Sequence, residues 1–221
     1  VAHGGVSVAI AIAIITLLAI VATSYRQTIF AYPSGGGSYI VAKDNLGMYA
    51  GLLAGSALMI DYTLTVAVSI AAGVAAITSA LPQYAHYRVE MCVFFIALMT
   101  LANLRGLRES GILFALPTYT FIFSAFALVA VGVFRAHTTG LHVPAPAAHL
   151  IPEQTYKTLT LFLILKAFSS GCSAMTGVEA ISNGIPAFRP PESKNAATTL
   201  VCMAVILGTL FIGITYLAWA G

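Results

Sequence analysis

The sequence predicts an all-α fold, a bundle of transmembrane helices, on three observations. Hydrophobic residues make up 59% of the 221 residues and charged residues only 8%, whereas an ordinary soluble domain is roughly a quarter charged. The mean hydropathy is +0.94. The apolar residues fall in long blocks, several of them longer than the roughly 20 residues that cross a bilayer as a helix. Since an apolar stretch in lipid satisfies its backbone polar groups as a helix or in a closed barrel, blocks of this length favour helices.

One partial transmembrane domain, residues 1–221, contains six predicted spans. The spans are 5–24, 47–80, 87–103, 111–134, 158–183 and 198–220. As a helix the second span would measure about 50 Å, more than the roughly 30 Å hydrocarbon core, so it must tilt or project from the membrane. The stretch 135–157 is rich in Pro, Ala and His. We interpret it as an external loop between two helical groups.

The basic residues between the spans predict the topology. The connections at 25–46, 104–110 and 184–197 carry most of the Lys and Arg residues, namely Arg26, Lys43, Arg105, Arg108, Arg189 and Lys194. The opposite connections carry Arg88, Arg135 and Lys157. By the positive-inside rule the first set is cytoplasmic, so the N-terminus of this chain is predicted to lie on the outer side of the membrane. We expect a multi-pass protein of the plasma (inner) membrane.

Several function classes find no support in the sequence. The net charge is +3, but the basic residues are scattered and form no patch, so nucleic acid is not an expected partner. Cysteines and histidines lack metal-ligand spacing, and no Ser/His/Asp or Cys/His arrangement lies at membrane depth. We expect no enzyme, no disulfide framework and no cofactor.

Asp61 lies in the middle of the second span, within SALMIDYTLTVAVS. An ionised acid at a helix centre costs about 2.5–3.5 kcal/mol on insertion scales, so its carboxylate should face a cavity or a partner. Thr65 follows at i+4 on the same face, and Tyr62 lies about 100° round the helix. The alternative interpretation is a structural carboxyl that is hydrogen-bonded between packed helices.

The fifth span, LILKAFSSGCSAMTGVEAISNG, predicts a broken helix. Its small and hydroxyl residues tolerate unwinding and supply hydroxyl or carbonyl oxygens: Ser169, Ser170, Gly171, Thr176 and Gly177. A broken helix near the midplane indicates a transporter binding site. Glu179 lies three residues after Thr176, so carboxylate, hydroxyl and carbonyl oxygens are predicted to converge there. The alternative is small-residue packing between helices.

Four motifs carry a family resemblance: AYPSGGGSYIVAKDNLG, DYTLT, LRGLRESG and TGVEAISNGIPAFRPPESKNA. On these motifs the chain resembles the amino acid/polyamine/organocation (APC) permease superfamily, most closely its KimA-type potassium importers, over essentially its whole length. The resemblance implies a partial LeuT-like fold, in which two inverted repeats of five helices contain broken first and sixth helices. The chain then matches helices two to seven. On this match, the first broken helix and the cytoplasmic C-terminal region that such proteins use for dimerisation are expected to lie outside residues 1–221.

The resemblance also implies a site. In KimA-type importers an acid, a tyrosine and a threonine of the third helix, with a threonine and a glutamate of the sixth, form the pathway of potassium and protons. The matching residues are Asp61, Tyr62, Thr65, Thr176 and Glu179. The oxygens of Asp61, Thr65, Thr176 and Glu179 are the candidate potassium ligands, since oxygen atoms replace the hydration shell of this ion.

The leading hypothesis from the sequence is a secondary transporter that imports potassium with protons. An amino acid permease of the same superfamily is the first alternative, because carboxylates and carbonyls also suit a substrate amino group. A non-transporting membrane scaffold is the second alternative, but it gives no reason for acids at the midplane. The expected partners are the lipid bilayer and a small cation or amino acid, with a homodimer possible for the full-length protein.

Overall fold

The computed structural model describes residues 2–104, 107–138 and 161–220, and these residues form helices and short connections with no strand. The α-helices are α1 (Ala2–Ala31), α2 (Gly37–Leu46), α3 (Met48–Ala80), α4 (Arg88–Leu104), α5 (Leu107–Thr138), α6 (Leu161–Cys172), α7 (Ala180–Asn183) and α8 (Glu192–Ala220). Short 3-10 helices occupy Pro82–Tyr87, Ser173–Met175 and Ile185–Ala187. The predicted all-α class is confirmed.

Within the described part of the chain, five helical stretches are long and apolar enough to cross a membrane. They are Val8–Ala31, Met48–Ala80, Pro82–Leu104, Phe114–Thr138 and Glu192–Ala218. The fifth predicted span, 158–183, contains among its described residues a shorter apolar helix, Leu161–Cys172, which is followed by a 3-10 turn, an irregular stretch and the single turn α7. The chain therefore carries several membrane-spanning helices and one interrupted one.

Some helix ends differ from the predicted spans. α1 continues past the predicted end at 24 to Ala31, because Ile29 is fully buried and keeps this last part of the helix packed. α8 begins at Glu192, before the predicted start at 198. A proline directly before a helix is compatible with its first turn, and an acidic residue there is favoured by the helix dipole. Of the predicted external loop, 135–138 belong to α5, and 139–157 lie outside the described residues.

Residues 34–120 form one compact unit, in which α2 packs on α3. The glycines Gly35, Gly36 and Gly37 all have positive φ: the first two precede α2, and Gly37 is its first residue. The two helices approach closely at two glycines of α3. A Cβ at Gly51 would lie 2.7 Å from Lys43 Cβ, and a Cβ at Gly55 would lie 3.2 Å from the Tyr39 ring. These pairs run in opposite directions along the chain, so α2 and α3 are antiparallel.

Residues 1–33 and 121–221 form the second compact unit. α1 packs along α8, and α6 and α7 both contact α1. The buried apolar core of this unit includes Leu18, Ile29, Val178, Ile185, Ala196, Ala197 and Leu200. Val178 and Ile185 belong to the segment that follows α6. Because they pack in the same core as residues of α1 and α8, the core fixes the position of this segment.

Candidate functional site

The helix in 158–183 is interrupted at Thr176 and Gly177. After α6 a single 3-10 turn covers Ser173–Met175, and Thr176 is extended, with φ −60° and ψ 134°. Gly177 has φ +90°, a left-handed conformation that glycine adopts without the steric cost of a Cβ. One turn of α-helix, α7, follows. The predicted broken helix is present, with its break at the second of the two predicted positions.

The first predicted position, Ser169-Ser170-Gly171, is not a break. These residues lie in the last turns of α6, and both serines are exposed. Gly171 faces Ile14 of α1, and a Cβ there would overlap the Ile14 side chain and lie 3.9 Å from Phe211 Cζ of α8. The small residue therefore allows close helix packing, which was the alternative interpretation of this run.

The break leaves a backbone oxygen available at Thr176. Around the break, N–H groups donate to the carbonyls of Ser173, Met175 and Gly177. Among the described residues, no N–H donates to the carbonyl of Thr176. Thr176 is also an exposed residue, so the break combines a hydroxyl and a carbonyl oxygen at one exposed position.

The Glu179 side chain is held from α1. The hydroxyl of Tyr25 donates a hydrogen bond to Glu179 Oε2 at 3.1 Å, and both side chains are half-buried. A tyrosine and a glutamate that are far apart in the sequence thus meet directly after the break. A hydrogen bond to an ionised acceptor is stronger than one between neutral groups.

The backbone of Glu179 is fixed as well. Its carbonyl accepts the Ser182 N–H at 3.0 Å, the Asn183 N–H at 3.1 Å and the Ser182 hydroxyl at 2.8 Å. The preceding residue, Val178, is 1% exposed, and Ser182 is fully buried. The Cα of Glu179 therefore has little freedom, and the Tyr25 contact orients the rest of the side chain.

Asp61, Tyr62 and Thr65 lie on α3, in the unit 34–120. Asp61 is exposed, while Tyr62 and Thr65 are half-buried. Asp61 and Thr65 share one face of the helix, as their i, i+4 spacing predicts. Thr176 and Glu179 lie in the other unit. The convergence of both groups on one ion pathway stays a prediction.

Tyr25 is the residue that sequence reasoning missed. The polar run Tyr25-Arg26-Gln27 marked the start of a connection, although the structure continues α1 through it to Ala31. No spacing pattern links Tyr25 to Glu179, because the contact depends on how α1 packs against the segment after the break. In the sequence Tyr25 is an ordinary tyrosine at the end of an apolar span, and nothing there marks it as a partner of Glu179.

Comparison with known proteins gives two matches. The model of a family described as amino acid permease matches residues 1–221. The chain is 51% identical over 213 residues to a protein of Bacillus subtilis (strain 168) that is named potassium transporter KimA. This match covers 96% of the chain but 35% of the relative, so the chain spans about a third of that protein's length.

Proposed function

This chain belongs to the amino acid permease family, and on that premise we propose that the full-length protein is a secondary active transporter that imports potassium together with protons. The chain is a multi-pass α-helical membrane protein with a broken helix. The high identity to a protein named as a potassium transporter supports potassium as the substrate.

The observation that carries the proposal is the position of Glu179. Its carboxylate follows the Thr176–Gly177 break directly and is oriented by a hydrogen bond from α1. A discontinuous helix supplies backbone oxygens for a cation, and a carboxylate supplies both negative charge and a proton-binding group. The hydroxyl and carbonyl of Thr176 and the Glu179 carboxylate would be potassium ligands from this unit. Asp61 and Thr65 would be ligands from α3, with Tyr62 beside them.

Coupling follows from the two states of a carboxyl group. An ionised Glu179 attracts the cation, whereas a protonated Glu179 presents no net charge to it. Competition for a single group would exchange the two ions, so import of both requires that they cross in the same step, with the proton on one of the two carboxyl groups, Asp61 or Glu179, and potassium at the other. The proton gradient then drives the movement of both ions. Alternating access would expose these groups first to one side of the membrane and then to the other.

A second candidate is an amino acid permease, which the name of the matching family favours. In that case Asp61 or Glu179 would pair with the substrate amino group. The substrate carboxylate would then need hydrogen-bond donors, which helix N-termini at a broken helix provide.

Several further points belong to the same proposal. The transported ions are potassium and protons, with no bound cofactor, and the activity is transport without catalysis. The membrane is the plasma (inner) membrane, with residue 1 on the outside, as the distribution of Lys and Arg favours. The full-length protein is proposed to form a homodimer, which the family resemblance supports.

Growth rescue tests the substrate. Cells that lack their own potassium-uptake systems, and that express the full-length protein, are expected to grow at low external potassium. Cells with the empty vector should not grow. Failure of rescue together with uptake of an amino acid by the same cells would replace the leading proposal with the second candidate.

A further inference from the structure

We propose that Tyr25 is a positioning residue of the ion site, whose hydroxyl holds the Glu179 carboxylate in one orientation beside the Thr176–Gly177 break. This inference rests on the proposed function and adds α1 to the elements that build the site. The Tyr25 Oη to Glu179 Oε2 distance is 3.1 Å.

α1 holds the glutamate at two successive turns. Tyr25 and Ile29 are four residues apart and therefore share one face of α1. Ile29 is fully buried in the apolar core that also contains Val178, the residue before Glu179. The Tyr25 ring packs against the same core. The same face of α1 thus fixes the backbone next to Glu179 through Ile29 and its side chain through Tyr25.

The two parts of Tyr25 have separable roles. Its ring is an apolar body against the core, and its hydroxyl is the group that contacts the carboxylate. Phenylalanine retains the ring and removes the hydroxyl. A phenylalanine variant therefore keeps the packing of α1 and removes the hydroxyl that contacts the carboxylate.

A glutamate carboxylate that is not oriented samples several rotamers. Binding of the ion must then fix one of them, and the loss of side-chain entropy opposes binding. Loss of the Tyr25 hydroxyl should therefore weaken potassium binding and leave the rate of the transport cycle nearly unchanged. The expected rise in the KM for potassium is about 3-fold to 10-fold, the effect of losing one typical hydrogen bond. A purely structural role would instead reduce the amount of folded protein at an unchanged KM.

The test is a double-mutant cycle on potassium uptake by the full-length protein. The variants are Tyr25→Phe, Glu179→Asp and the pair combined. Aspartate keeps the charge, but its carboxylate is one methylene shorter and cannot reach the Tyr25 hydroxyl. Tyr49→Phe is the matched control, since Tyr49 is 91% exposed on α3. Rates are normalised to the amount of folded protein, measured by size-exclusion chromatography.

Tyr25→Phe is expected to raise the KM in the wild-type background and to change it by less than about 2-fold in the Glu179→Asp background. Tyr49→Phe should match the wild type. An unchanged KM in Tyr25→Phe, or an equal rise in both backgrounds, overturns the positioning role. If the wild-type protein shows no saturable potassium uptake, the proposed function fails instead, and the same cycle with the amino acid it transports decides the role of Tyr25.

Discussion

At the scale of residues, Glu179 combines a fixed backbone with a side chain oriented from another helix. The buried neighbours Val178 and Ser182 fix its position, and Tyr25 orients its carboxylate. Such an arrangement reduces the conformational entropy that an arriving ion must remove, which is how preorganised sites gain affinity. Glu179 is therefore the residue where proton and ion are expected to meet.

Replacement of Glu179 by glutamine should uncouple transport from pH. Glutamine has nearly the shape of glutamate but cannot exchange a proton, so potassium uptake by Glu179→Gln should no longer change with external pH. Uptake of radioactive rubidium or potassium across a pH series measures this dependence. Glu90→Gln, in the exposed first turn of α4, is the control and should keep the wild-type profile. An unaltered pH dependence in Glu179→Gln would refute its role as the proton carrier.

The sequence marked Glu179 and Asp61 because an acid inside an apolar span is energetically costly. It could not mark Tyr25, because a tyrosine near the end of a span is common at the membrane interface and has no such cost. Only the packing of α1 against the segment after the break gives Tyr25 its partner. A single sequence thus predicts which charged residues lie within apolar spans, but it does not predict a contact between two distant segments.

At the scale of elements, the break between α6 and α7 depends on one backbone conformation. Gly177 has φ +90°, and no atom lies within 4 Å of a Cβ built on it. A side chain at this position therefore meets no steric obstacle from its neighbours. Its cost is that of the left-handed backbone alone.

Gly177→Ala should destabilise the full-length protein by about 1–2 kcal/mol, the cost of a left-handed non-glycine residue. Gly177→Asn should cost less, since asparagine tolerates this conformation better. Gly73→Ala is the matched control: it is also unobstructed but lies within α3, where alanine is favoured over glycine. Thermal unfolding of the purified protein should give a lower midpoint for Gly177→Ala and no decrease for Gly73→Ala. Equal midpoints for the two alanine variants would contradict this account of the break.

Two runs of small and hydroxyl residues predicted a break in 158–183, and only one of the two predicted positions is correct. Ser169-Ser170-Gly171 and Thr176-Gly177 are both plausible breaks by composition, but only Gly177 is left-handed. Gly171 instead lies against the Ile14 side chain of α1, which would have to shift to admit a Cβ. Composition shows that a helix tolerates unwinding, while tertiary packing decides where it unwinds.

At the scale of the whole molecule, the chain divides into two compact units, and the predicted ion ligands are distributed between them. Asp61, Tyr62 and Thr65 belong to the unit 34–120, and Thr176 and Glu179 to the other. The chain spans about a third of the potassium transporter it matches. Alternating access in such folds requires movement of one repeat against the other, so residues 1–221 alone are not expected to transport.

Proton-coupled potassium import can be measured directly as potassium flux into proteoliposomes that contain only the purified full-length protein. With the outside acidic relative to the lumen, we predict saturable potassium uptake that falls when the pH gradient is removed. Liposomes that contain residues 1–221 alone should show no saturable flux. Potassium uptake that is absent, or that is unaffected by the pH gradient, would contradict proton-coupled potassium import by this protein.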